Sequence, residues 1–449
     1  TFNTSERRLA IALFAALFFL SWYLAIPLIG IIAISLLGSV QLIISRDALP
    51  LVPLLLFAPM IFPIRQIEFS GLFYLGYIPL IVSGVFHIIY YPPRIRRGKL
   101  TAPLFFVSVA LLISGCTVIS LEEFESSFRY MLRLGFEALA IYIVLNCYIE
   151  ENPFVKPSAF FAKTLLYMGI FITLQVVSYY LIYKLPVAEW GQEKWLVVGW
   201  GIDNNAATVM LLCAPMCFYL AGVSLSRLKA FLCSLAGIII YAGICLSFSR
   251  GAILMALVTF PFMFALCLKK SKRKLMVFVP LVIAAIVALA VYLGFFSKIN
   301  EMFKNIFEGG GAGWAGRDIL YLEAVECFKK YPLFGAGMPY KGKNFDWTIS
   351  GFYYFHSTFF EVMGKMGLFG LFAYGWLYAV RFKVAVKNIR YNLFKLMAFF
   401  SLLGFELYCM LDTGIFIPFP TFICAVLFCL IGERENSEVK PFSKPLPFI

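Results

Sequence analysis

Long apolar runs separated by polar loops dominate this chain. The first charge-free run covers 9–44, and Pro27 and Gly30 divide it into two spans. Further runs cover 49–64, 72–91, 101–120, 130–149, 159–183, 206–225, 230–248, 252–268, 275–296, 367–380, 396–411 and 415–431. A membrane-crossing helix needs about 20 apolar residues. The pattern therefore predicts an all-α polytopic membrane protein with about 12–14 transmembrane helices. One stretch breaks the rhythm. The polar segment 297–365 is about 70 residues long, too long for a plain connection, and loops of that length are usually functional. Within it, Gly309-Gly310-Gly311 reads as a flexible break. An amphipathic helix is expected over 315–331, with Ile319, Leu322, Val325 and Phe328 on its apolar positions and Pro332 ending it. The expected organisation is an N-terminal transmembrane bundle (1–200), a central region (201–380) that includes the long loop, C-terminal transmembrane helices (381–432) and a weakly ordered tail (433–449).

Charge sets the expected orientation. Basic residues gather in five groups: Arg7-Arg8, Arg94 to Lys99, Arg227 with Lys229, Lys269 to Lys274, and Arg381 with Lys383, Lys387, Arg390 and Lys395. An even number of spans separates each group from the next, so all five fall on one side, which the positive-inside rule makes the cytoplasm. The loops 65–71, 121–129, 184–205, 249–251, 297–365 and 412–414 then face outward. Trp190, Trp195 and Trp200 in one of them suit an interfacial belt.

Composition agrees. The chain is 62% hydrophobic and only 14% charged, with 49 Phe and a mean hydropathy of +0.88. That leaves too little polar surface for a soluble core. The net charge of +14 sits between apolar runs, so it orients the protein in a bilayer and does not point to nucleic acid. Most of the 11 Cys lie inside apolar runs without a CxxC pair, as small apolar residues do.

Four polar residues on the expected outer side carry the candidate chemistry. Arg250 occupies a short outer hairpin. It is either an interfacial snorkelling side chain or a partner for a phosphate or carboxylate, which guanidinium binds in bidentate fashion. Arg317 opens the amphipathic helix, where backbone N–H groups and a guanidinium together suit an anion; the plainer alternative is an ion pair with Asp318 or Glu323. His356, one of two histidines, is either an interfacial side chain or a base that takes a proton from a sugar hydroxyl. Asp412 either caps the next helix or orients a His or Arg. Glu361 offers the same service less directly, because five residues from His356 is not one helical face. His87, inside an apolar run, reads as a packing residue. No metal-binding or Walker motif appears, so a metal-bound sugar nucleotide is not supported; an outer-face transfer calls for a lipid-carried donor.

These residues resemble the bacterial O-antigen ligase and O-antigen polymerase superfamily. The likeness rests on Ser247-Phe248-Ser249-Arg250-Gly251; on Gly316-Arg317 followed by Phe328-Lys329-Lys330-Tyr331-Pro332-Leu333-Phe334-Gly335-Ala336-Gly337; on His356 ahead of Glu361 and Gly364-Lys365-Met366-Gly367-Leu368-Phe369-Gly370; and on Gly201-Ile202-Asp203-Asn204-Asn205-Ala206-Ala207. It covers about 201–370. One departure is His356-Ser357, where the family usually has His-Asn. The resemblance implies a GT-C-like, metal-independent, inverting glycosyltransferase without a cofactor, in the bacterial inner membrane. Its donor would be an undecaprenyl-diphosphate-linked glycan and its acceptor a saccharide: lipid A–core for a ligase, a lipid-linked repeat unit for a polymerase. It assigns Arg250 and Arg317 to the diphosphate and His356 to the acceptor hydroxyl. Asn204, Asn205, Lys329, Lys330, Asp412 and Glu361 are further substrate-binding candidates, and Lys341 and Lys343 add positive potential. Two other functions compete. A transporter would use charges inside the runs, namely Glu137, Lys163 and Glu406. A scaffold would use the long loop alone.

Overall fold

The computed structural model describes residues 4–61, 75–93, 98–149, 156–185, 190, 196–270, 317–342, 353–412 and 418–432, with Ile283, Ile286, Gly294, Ser297, Asn300 and Lys304 between them. The expected span 275–296, the glycine triplet, Arg94 to Arg97, Lys343 and the tail after Gly432 lie outside this set, apart from those isolated positions.

Pro27 divides the first apolar run as its chemistry requires. It takes the first helical position, where a missing N–H costs nothing, giving α1 (Thr4–Tyr23) and α2 (Pro27–Ile44). Next come α3 (Leu51–Phe57), extended by a tight turn Ala58–Ile61, then α4 (Ile78–Tyr90) and α5 (Thr101–Ile113). α6 (Leu121–Tyr130) runs through a π-helical turn, Met131–Phe136, into α7 (Glu137–Tyr148). After α8 (Pro157–Ile182), a two-residue antiparallel ladder pairs β1 (Val197–Val198) with β2 (Gly201–Ile202). Then follow α9 (Asp203–Val223), α10 (Arg227–Leu246) and α11 (Arg250–Lys270). The long polar segment supplies α12 (Arg317–Lys330). It re-enters through α13 (Thr358–Glu361) and a π turn, Val362–Met366, that leads into α14 (Gly367–Val386). α15 (Leu393–Cys409) and α16 (Pro418–Gly432) complete the order.

Among the described residues, five helices are long and apolar enough to cross a membrane: α2, the continuous helix Glu123–Tyr148, α8, α9 and α10. Shorter apolar helices accompany them, α5 among them. α9 is the hub. Its apolar window is 89% buried, against 39% for α2, and α8, α10, α11 and α15 all pack on it. Packing of this kind, and not the hydrophobic effect, holds helices together in lipid.

Four segments differ from the pattern-based expectation. In α12 the buried face is Leu320, Glu323, Ala324 and Cys327, whereas Ile319 and Leu322, expected on the apolar face, are 39% and 67% exposed. The run 101–120 stops being helical at Ile113, because Gly115 turns with φ +69° and its N–H donates to Phe334 O at 2.8 Å. The apolar residues beyond Ile113 thus serve a docking turn and not a span. The expected loop 121–129 is the helix α6, opened by a capping box in which Ser120 and Glu123 satisfy each other's backbone N–H groups. Arg381 does not belong to the basic surface group. It is buried in α14 and pairs with Glu406 of α15, Nη1 to Oε1 at 2.9 Å, with its guanidinium 5.5 Å from the Phe428 ring.

The bundle has two distinct ends. At one end Lys99 Nζ donates to Gly432 O at 2.8 Å. There the last turn of α9 at Gly222 meets Leu393, which opens α15, and Gly432 lies beside Val384. Lys99, Arg227, Lys229, Lys387 and Arg390 therefore share this end. At the other end α9 begins, α10 ends, α11 begins and α15 ends. The segment carrying α12 covers that second end.

Candidate functional site

The site grows from a three-residue turn between α10 and α11. Ser247 Oγ donates back to Ile244 O at 2.7 Å, and Ser249 N donates to Ser247 Oγ at 3.3 Å. Phe248 takes φ +54°, a left-handed conformation that non-glycine residues seldom adopt. This turn sets Arg250 at the first position of α11 and points Ser249 Oγ at Asn204 Oδ1, 2.7 Å away on the first turn of α9. That hydrogen bond fixes the Asn204 amide, whose Nδ2 donates to Asp412 Oδ2 at 2.9 Å.

Asp412 is the centre of the arrangement. Its Oδ2 also accepts from Tyr408 OH at 3.0 Å and lies 3.9 Å from Arg317 Nη2; its Oδ1 lies 3.4 Å from His356 Nδ1. Hydrogen bonds to a carboxylate contribute roughly 1.5–3 kcal/mol each. Against an ionised carboxylate, which only accepts, a neutral imidazole donates through Nδ1 and leaves its lone pair on Nε2. Arg317 also donates through Nη1 to Leu411 O at 2.6 Å, where a cation complements the carbonyl end of α15. Arg250 is half-buried, and the Arg317 guanidinium is close enough to act on it electrostatically. Two guanidiniums in reach of each other repel, and an anion between them removes that repulsion.

The long polar segment delivers His356 through a small second core of Leu320, Ala324, Cys327, Ala336, Tyr353, Phe355 and Met363. Two glycine-rich motifs meet there backbone to backbone: Ala336 N donates to Gly364 O at 2.9 Å and Gly337 N to Lys365 O at 3.0 Å. Gly335 has φ +68°, and a Cβ on it would lie 2.2 Å from Lys365 C, so no other residue fits. Glu323 of α12 accepts from Tyr340 OH and Tyr353 OH, both at 2.7 Å. Glu361 and Lys365 form an ion pair at 3.1 Å, with side chains 2% and 0% exposed. Glu361 also accepts from Phe355 N, and Lys365 Nζ donates to Tyr353 O. Burial raises the Glu361 carboxyl, against the pull of Lys365. Burial, and then the Glu361 charge, push the Tyr354 hydroxyl up to about 12, so it stays a neutral donor. Its ring lies 6.3 Å from that of His356. His356 itself has φ +53°, a strain of about 1–3 kcal/mol that persists only where the surroundings hold it.

Of the residues the sequence singled out, Asn204, Arg317 and His356 thus all meet at Asp412, and Arg250 lies within electrostatic reach of Arg317. Others stand apart. Asn205 turns toward the β2 glycine, where a Cβ on Gly201 would meet its Nδ2 at 2.5 Å. Lys329 and Lys330 are exposed at the far end of α12, about 20 Å along the helix from Arg317. Glu361 serves the backbone of the His356 loop. His87 packs between Tyr91 and Tyr148, with Nδ1 2.8 Å from Leu42 O. Sequence reasoning missed Ser249, Tyr408 and Lys365 as partners, and it offered Glu323 to Arg317 where the structure gives it to Tyr340 and Tyr353. Two of them had a signal: Tyr408 and Asp412, like Glu361 and Lys365, stand four apart, the spacing of neighbours on one helical face.

A comparison with curated proteins finds no match to the chain. A comparison with family models does: residues 235–375 match the family described as O-antigen ligase. The matched segment contains Arg250, Arg317, His356, Glu361 and Lys365, while Asn204 and Asp412 reach the site from outside it. By this match the segment 235–375 is similar to the O-antigen ligase family, which supports the resemblance to the O-antigen ligase superfamily.

Proposed function

We propose that this protein is a GT-C-type, inverting glycosyltransferase of the bacterial inner membrane. It takes a glycan from undecaprenyl diphosphate and transfers it, at the periplasmic face, to the saccharide of lipid A–core. The observation that carries the reading is the cluster itself: a histidine and a guanidinium on one carboxylate, with a second guanidinium in electrostatic reach of the first, at the end of the bundle away from the basic loops. His356 Nε2 takes the proton of an acceptor hydroxyl as its oxygen attacks the anomeric carbon. The bond from that carbon to the diphosphate oxygen breaks on the opposite face, which inverts the configuration. The electron pair leaves with the lipid diphosphate, and Arg250 and Arg317 stabilise its growing negative charge. Preorganised cations are well suited to this, and they supply here the charge that a metal ion supplies in other transferases. Asp412 holds the imidazole in the tautomer the reaction needs.

The test is a reconstituted assay with purified lipid-linked repeat unit, with and without lipid A–core. Capture on the core is expected. Chain lengthening without it would identify a polymerase, and movement of the lipid across the bilayer without a new glycosidic bond would identify a transporter. His356→Ala, Arg250→Ala and Arg317→Ala should each abolish transfer while the protein accumulates normally. Full transfer by all three variants would remove the proposal.

A further inference from the structure

Resting on that reading, we propose that the buried Glu361–Lys365 ion pair is the positioning device of His356, holding the loop from Tyr353 to Ser357 in the one conformation that aims the imidazole at the acceptor. The pair brackets Tyr354. Lys365 Nζ holds the Tyr353 carbonyl on one side and Glu361 holds the Phe355 N–H on the other. His356 is the next residue, and it is the one with φ +53°. Three further bonds fix the same few residues: Tyr353 OH to Glu323 Oε2 at 2.7 Å, Tyr321 OH to His356 O at 3.3 Å, and Glu361 N to Ser357 O at 2.8 Å. Tyr321 is itself held by Phe360, with ring centroids 4.2 Å apart and planes 11° from parallel.

Why charges do this work follows from what they hold. A buried ion pair often contributes less stability than apolar side chains of the same volume, so stability alone is a weak reason for Glu361 and Lys365. An apolar pair would fill the space, but it would offer nothing to a carbonyl and an N–H one residue apart. A left-handed residue needs both fixed, because relaxing either lets the backbone return to the common region. Lys365 is also in the segment whose backbone zips to Gly337, with Lys365 O accepting at 3.0 Å. One residue thus ties His356 to the glycine-rich connection that follows α12, the helix that begins with Arg317. The base and one diphosphate cation are held in one frame.

The experiment uses Glu361→Gln in the full chain, with two readouts. The chain has two histidines, so isotope-labelled histidine gives two sets of imidazole resonances, and His87 serves as the internal control. The His356 resonances should shift or broaden while those of His87 stay in place. In the transfer assay, kcat should fall about 100-fold, the cost of a small misplacement of a reacting group, with donor KM unchanged. The neutral double variant Glu361→Gln/Lys365→Met leaves no unpaired buried charge, and it carries the test if the single variant does not accumulate. It should regain thermal stability without regaining kcat. Three results would overturn the proposal: unmoved His356 resonances, wild-type kcat, or a donor KM that rises in step with the loss of kcat, which would put the pair in the donor site itself. The resonances read positioning whether or not transfer is the activity. A failure of the glycosyltransferase reading, seen as transfer surviving His356→Ala, is therefore distinct from a failure of this one.

Discussion

Asp412 shows best how much one side chain can organise. It receives Asn204, Tyr408 and His356 and stands 3.9 Å from Arg317, so it joins α9, α15, α12 and the His356 loop. Asp412→Asn leaves the shape and removes the charge. An amide can also present its NH2 to His356 and favour the wrong tautomer. Transfer should drop by about 100- to 10,000-fold, the span of general-base contributions, with donor binding nearly kept; comparing kcat with donor affinity checks this. The sequence marked Asp412 as able to orient a His or pair with an Arg, and the structure has it beside both. It gave no hint that Asn204 would face it, since 208 residues separate the two.

At the level of elements, the ion pair between α14 and α15, with its arginine buried and its glutamate partly so, is the sharpest case. Arg381 and Glu406 are far apart in sequence and read as a loop cation and an isolated buried charge. The helix α14 continues past 380, and that extension brings them together at 2.9 Å. Removing one partner strands the other's charge. Arg381→Leu alone should lower stability by about 3–5 kcal/mol, while Arg381→Leu/Glu406→Leu should recover most of it. Thermal unfolding in detergent reads both. The connection after α12 is a second case. Gly335→Ala combines a left-handed φ with a backbone clash at 2.2 Å. It should cost more than about 1 kcal/mol, and the protein should lose transfer together with protease resistance in the segment 331–342. The glycines were visible in the sequence; their partner, the stretch around Lys365, was not.

Across the whole molecule, the separation of basic loops from the site makes a topological prediction. Leu121 opens α6 near the site end and is 92% exposed; Leu225 lies between α9 and α10 at the other end and is 98% exposed. In a background with the exposed Cys116 changed to Ser, Leu121→Cys should react with a membrane-impermeant thiol reagent added outside the cell. Leu225→Cys should react only after the membrane is opened. The reverse pattern would turn the site toward the cytoplasm and end the lipid-linked donor reading.

Hydropathy by itself determined the class of molecule, the order of its apolar helices and the presence of one long polar segment, because a bilayer rewards uninterrupted apolar runs wherever they occur. Proline determined helix ends for equally local reasons, as Pro27 and Pro332 show; the Ser120–Glu123 box is just as local, yet the polar stretch it opens reads as a loop from hydropathy alone. Tertiary structure decided what those local rules do not reach: that α9 is central, that an apolar stretch after Ile113 becomes a docking turn, that Glu361 holds a loop while Asn204 holds Asp412. These outcomes depend on distances between residues far apart in the chain. No periodicity carries such distances, and only the packed bundle fixes them.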